Sequence, residues 1–245
     1  MANRQWHSLM GRGIVEPVDD FRAANPPTHP ELLEALADLL IESGYDQRVV
    51  LRTILNSKTY QRSSRATDSN RDDVIHYART IPRRIAAEPL LDCLCQATGG
   101  TLDWTNLPDG VRTAQRPEVG GKKRRDPGTS IDKFLRSFGK PPRLTNCDCE
   151  RSTAGTITQS FQMLGGPVPH ELLTQPDNRL ADWTKSTAGT TELLDEIWLT
   201  VLVRKPTDDE RAAARKLLET AADRRATFED LVWALVNSQE FQLRR

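Results

Sequence analysis

The sequence predicts an all-α fold, an irregular multi-helix domain with a long mid-chain loop, and three observations predict it. Apolar residues recur at spacings of three and four in segment after segment. Capping signals stand in front of several of those segments, and glycines or prolines stand behind them. No run alternates apolar and polar residues as a half-buried strand would.

Taken in chain order, Thr28-His29-Pro30-Glu31 reads as a capping box with a proline in the first helical turn. Leu32, Leu33, Leu36, Leu39 and Leu40 come next at helical spacing, and Gly44 stops the run. Asp46 caps a second helix carrying Val50, Leu51, Ile54 and Leu55. A third helix is expected over Arg83 to Thr98, with Leu90, Leu91, Leu94 and Cys95 on one side. Pro89 must lie in its first turn or kink it, and Gly99-Gly100 ends it. Further along, Ile157, Phe161 and Leu164 share a face, closed by Gly165-Gly166-Pro167. Leu193, Leu194, Ile197, Trp198, Val201 and Leu202 form an amphipathic stripe. Thr207-Asp208-Asp209-Glu210 is a second capping box, opening a helix with Ala214, Leu217, Leu218 and Ala221 inward. Thr227 or its neighbour is expected to cap the last long helix, which carries Phe228, Leu231, Val232 and Leu235.

Residues 100–152 read differently, as a loop-rich mid-segment of a single helical domain spanning 1–245. Within it, 116–128 holds two prolines, three glycines and Lys122-Lys123-Arg124-Arg125. This is expected to be an exposed basic loop. Nucleic-acid binding is not expected there, because no aromatic residues interleave with the charges to stack on bases. One internal echo stands out. Leu51 to Gln61 and Val232 to Gln242 each read as a helix ending in Asn-Ser, then an aromatic residue three positions on, then a glutamine. In both, Asn-Ser should break the helix and Tyr60 or Phe241 should fold back on the core.

Composition narrows the function classes. The 245 residues allow one large domain or two small ones. Lys+Arg and Asp+Glu are both 34, so strong global attraction to nucleic acid or acidic membranes is not expected. No stretch approaches the ~18–20 apolar residues of a membrane span. Met1 to Gly13 lacks the apolar core of a signal peptide. The four cysteines lie in two Cys-x-Cys pairs, Cys93/Cys95 and Cys147/Cys149, and there is no haem-attachment sequence. No cofactor is therefore expected in this chain.

Several segments together resemble a known family. They are Asn3-Arg4-x-Trp6 with Gly11-Arg12-Gly13-Ile14-Val15, Asp19-Asp20-Phe21, His29-Pro30-Glu31-Leu32-Leu33, and Ser57-Lys58-Thr59-Tyr60 with Ser63-Ser64. Ile81-Pro82-Arg83-Arg84, Phe138-Gly139-Lys140-Pro141-Pro142-Arg143 and Cys147-Asp148-Cys149-Glu150-Arg151-Ser152 continue the series. Arg204-Lys205-Pro206-Thr207 and Asn237-Ser238-Gln239-Glu240-Phe241 complete it. Their order and spacing resemble domain of unknown function 1553, a planctomycete-type domain. The resemblance implies a C-terminal module of a longer exported protein, found with a partner domain and often with a cytochrome-c-like domain. It also implies that the chain is N-terminally truncated relative to the usual member. A haem-containing partner encoded separately and an extracytoplasmic setting are further expectations of the resemblance. It implies no agreed activity for the chain.

The candidate functional cluster is Asp19, Asp20, Arg83, Arg84, Cys147, Asp148, Cys149, Glu150 and Arg151. An extended backbone would put Cys147, Cys149 and Arg151 on one face and Asp148 and Glu150 on the other. A metal or redox site is one reading, and a strand-like connector with small buried thiols is the simpler one. No metal is expected, because Cys93 and Cys95 diverge by about 200° on a helix and structural zinc favours longer spacing. Asp19-Asp20 with Glu88 could supply paired carboxylates for acid–base work, but Arg83 and Arg84 could equally neutralise them. Glu150 or Asp148 is expected to pair with Arg83 or Arg84. His170-Glu171 fails as a zinc-protease helix because position 174 is threonine, and Ser137-x-x-Lys140 lacks its companion motifs. Two classes remain: a helical binding or assembly module, or an enzyme whose site forms where these segments converge.

Overall fold

The computed structural model describes residues 1–102, 110–115, 129–141 and 155–244. Helix accounts for 57% of the structure and strand for 2%. That is far above the ~30–35% helix of an average domain, so the all-α fold class holds. The expected basic loop 116–128 and the Cys147 to Ser152 connector lie outside the described residues. The backbone forms two compact units, Met1–Arg83 and Arg84–Arg244.

The first unit is built on α1 (Ala2–Met10), α2 (Pro30–Glu42) and α3 (Gln47–Leu55). Its core is Ala2, Trp6, Ile14, Leu36, Leu40, Val50, Ile54 and Tyr77. Helix α1 has no side-chain cap, and capping signals in the sequence do not predict it. Helix α2 begins with Pro30 in its first turn, but the expected capping box does not form, and the His29 cap position has no side-chain bond. Thr28 instead donates its hydroxyl to the Ile14 carbonyl, which ties the chain before α2 to the loop after α1. Asp46 caps α3 as expected, accepting from the Arg48 amide.

The second unit contains α4 (Ala87–Thr98), α5 (Ser130–Ser137), α6 (Ile157–Gly165), α7 (Pro167–Thr174) and α8 (Arg179–Lys185). It ends with α9 (Thr190–Leu202), α10 (Asp208–Glu219), α11 (Arg224–Val236) and α12 (Gln239–Gln242). One core joins Leu90, Leu91 and Leu94 of α4 to Phe134 of α5, Leu193 and Ile197 of α9, and Phe228 and Val232 of α11. Among the described residues the strands are β1 (Arg83–Arg84) and β2 (Leu243–Arg244), each two residues long.

The structure corrects several further expectations. The third helix starts at Ala87, not Arg83, because Arg83–Arg84 is extended in β1; Pro89 falls in the first turn. Helix α5 lies inside the span expected to be loop-rich, opened by a Thr129/Asp132 capping box and burying Ile131, Phe134 and Leu135. The cap of α11 is Asp223, whose carboxylate accepts from the amides of Arg225 and Ala226. Thr227 is therefore inside the helix, bonded to the Asp223 carbonyl. Finally, α10 buries Ala214 but leaves Leu217 42% exposed.

Candidate functional site

The residues of the first unit that looked chemical are used to hold its loops. Asn3 is buried, and its side chain donates to the carbonyls of Val15 (2.9 Å) and Val18 (2.7 Å). Its oxygen accepts from the amides of Ile14 (2.7 Å) and Val15 (3.1 Å). One short side chain thus satisfies both sides of the turn after α1. Arg4 forms a two-pronged pair with Asp19, at 2.7 and 2.9 Å, and Arg22 does the same with Asp20, at 2.6 Å in both bonds. Arg4 holds the Asp19 carboxyl below its usual range, and Arg22 does so for Asp20. Each carboxylate has its own guanidinium, so the two do not share a proton as an acid–base dyad would.

Arg83 donates to the Leu9 carbonyl. It also lies against Gly11, where a Cβ would collide with the arginine side chain; Gly11 has φ 84 and closes α1. Arg84 lies over Gly155, where an added Cβ would stand 3.2 Å from its Nε. Cys147, Asp148, Cys149, Glu150 and Arg151 lie outside the described residues, and with them the carboxylates expected to pair with these arginines. Cys93 and Cys95 sit half-buried on α4 against the core. Burial pushes the Cys95 thiol up to about 12, with the Asp92 charge adding to it, so it is not a thiolate nucleophile at neutral pH. Ser137 donates its hydroxyl back to the carbonyls of Lys133 and Phe134, as a helix-terminal serine does. Among the described residues no group of His, Cys, Asp and Glu could hold a metal ion.

Sequence reasoning missed two features of this unit. The first is an aromatic cluster. Trp6 meets Tyr77 edge-on at 5.1 Å, and His29 stands 5.7 Å from both His76 and Tyr77. Asp73 builds the turn that presents it, accepting from the amides of His76, Ala78 and Ile75, which lower its carboxyl to about 2.

The second is an open apolar groove of about 730 Å³ between the start of α1, the loop carrying Phe21, and α2. Leu33, Ala37 and Leu40 form its floor on α2. Phe21, Ile41 and Tyr45 stand at its mouth, 59%, 56% and 69% exposed. Glu34 is the charged side chain in the lining. Tyr45 adopts φ 65, a conformation uncommon outside glycine and asparagine, with its amide bonded to the Leu40 carbonyl. The turn after α2 is thereby held so that an exposed tyrosine borders the groove. The sequence signal was present: Leu33, Ala37 and Ile41 extend the apolar arc of α2 beyond what Leu36 and Leu40 bury.

The family described as PSD1, protein of unknown function (DUF1553), matches residues 1–218. The chain belongs to this family. The matched residues take in the whole first unit and stop before the Asn237-Ser238-Gln239-Glu240-Phe241 segment that shared in the resemblance. No curated protein and no solved structure matches the chain. Among the described residues no helix is long and apolar enough to cross a membrane.

Proposed function

We propose that this chain is a helical binding or assembly module, and that the groove of its first unit receives an amphipathic helix from a partner domain. The observation that carries this reading is the groove itself. It is apolar, open and about 730 Å³ in volume, within the range of formed binding sites. Its mouth gathers three large exposed side chains into one patch, whereas scattered single ones would need no explanation. Helix α2 is 13 residues long, about 20 Å, which suits the apolar stripe of a helix of three to four turns. The setting comes from the family: a longer exported planctomycete-type protein, with the partner among its cytochrome-c-like or other companion domains. Asp19 and Asp20, each held by its own arginine, support a scaffold role for that part of the chain.

A fluorescently labelled neutral peptide with a leucine/alanine face and a glutamine/serine face tests the reading. The expected result is saturable binding that Ile41→Asp abolishes. Ile41 is exposed, so the variant should change folding stability by no more than about 0.5 kcal/mol. Absence of saturable binding, or equal binding by Ile41→Asp, would overturn it.

A further inference from the structure

Helix α2 carries a second pattern beside the groove. Between Pro30 and Gln47 the chain has five carboxylates and neither lysine nor arginine. Four of them, Glu31, Glu34, Asp38 and Glu42, lie on α2, and at 100° per residue they fall within an arc of about 80°. That arc adjoins the one occupied by Leu33, Ala37, Leu40 and Ile41, with Glu34 turned into the groove lining. All four are exposed, and none has an ion-pair partner among the described residues. By contrast, Asp19 of this unit is matched by Arg4 and Asp20 by Arg22.

The stripe works against the helix that bears it. Glu34, Asp38 and Glu42 are spaced four residues apart, where like charges repel, and Glu42 sits in the last turn at the negative end of the helix dipole. Such an edge disfavours nucleic acid and anionic lipid as occupants of the adjoining groove. It favours cations placed along one side of an apolar stripe.

We infer that the occupant is a basic amphipathic helix, its apolar stripe seated on Leu33, Ala37 and Ile41 and its lysines or arginines set against Glu31, Glu34, Asp38 and Glu42. This rests on the groove being a helix-binding site and adds the charge of the partner. Electrostatic complementarity of this kind selects partner and orientation, and it is sensitive to salt.

The test uses three peptides of about 18 residues sharing one apolar face, with lysine, glutamine or glutamate on the polar flank, and a scrambled lysine peptide of the same composition. The full chain is titrated with each at low and at high salt. The lysine peptide should bind about tenfold more tightly than the glutamine peptide at low salt, the advantage should shrink at high salt, and the glutamate peptide should bind least. The combined variant E31Q/E34Q/D38N/E42Q should lose the lysine preference while melting at a higher temperature than the parent chain. If the glutamine peptide binds and the lysine peptide binds no better, the charge inference falls and the groove reading stands. Equal binding of the scrambled lysine peptide also overturns it, by reducing the effect to unspecific charge. If no peptide binds, the groove reading falls with it.

Discussion

Val203 closes α9 in the left-handed region at φ 58, and its β-branched side chain is 84% exposed. The left-handed conformation costs a non-glycine residue on the order of 1–2 kcal/mol, and so exposed a side chain has little packing to offset it. The turn places its neighbour Arg204 between two helices. Arg204 reaches Glu210 at 2.7 Å and Glu240 at 2.8 Å, joining the start of α10 to α12. Val203→Gly should therefore stabilise the chain by about 1 kcal/mol in chemical denaturation, the relief of strain being partly offset by the flexibility of unfolded glycine. Arg204→Ala should cost about 1–3 kcal/mol, because two neighbouring carboxylates lose their shared cation. The same arginine, with the Thr207 amide, lowers the Glu210 carboxyl to about 2 from its ordinary 4.5. A depressed folded value means that this contribution is complete above about pH 4.5 and is lost as pH falls towards 2. Denaturation midpoints measured across that window should fall more steeply for the parent than for Arg204→Ala. Identical slopes would show that the pair does not contribute.

Among the elements, helix position was legible in the sequence and the outward face was not always so. Periodicity located α2, α3, α9, α10 and α11, and the buried residues of α9 are those of the expected stripe except Leu202, which is half-buried. Helix α6 is the informative exception. Ile157, Phe161 and Leu164 share a face as expected, but that face is 73%, 66% and 50% exposed, and the buried residues are Gln159 and Met163. Gln159 belongs inside because its side chain is committed twice, accepting from the Thr156 amide in a capping box and donating to the Ser137 carbonyl. Hydrophobicity alone could not report that a satisfied glutamine would outrank a phenylalanine. Met163→Ala should accordingly cost about 2–5 kcal/mol, whereas Phe161→Ser should stay within about 0.5 kcal/mol of the parent. The reverse order in thermal melts would mean that α6 is rotated. The Asn-Ser echo was legible as a shared helix end, with Phe241 buried on the core and Tyr60 only half-buried, but the bonds that make it were not. Ser57 accepts from the Tyr60 amide at 3.1 Å and Ser238 from the Phe241 amide at 3.2 Å. Gln61 and Gln242 each donate to the carbonyl just before the asparagine, Leu55 and Val236, both at 3.3 Å. One helix in each unit ends in the same clamp because the same local residues compete for the same backbone groups.

At the scale of the whole molecule, the proposal that residues 1–245 act as one domain predicts a single calorimetric transition whose van't Hoff and calorimetric enthalpies agree. Two resolved transitions would make the units Met1–Arg83 and Arg84–Arg244 separate domains. The groove was only partly legible in the sequence, through the width of the apolar arc of α2. Leu33, Ala37 and Leu40 read as ordinary core, and only the arrangement of α1, the Phe21 loop and α2 decides which apolar residues remain uncovered. In the proposed function this groove is where the chain meets its partner. Its most direct test is a methyl-detected NMR titration of the intact chain with a lysine-flanked amphipathic peptide. Saturable shifts are expected to concentrate on the methyl groups of Leu33, Ala37, Leu40 and Ile41, with those of Leu193, Leu194 and Ile197 in the second unit unmoved. Shifts centred on the second unit, or none in the groove at saturating peptide, would contradict it.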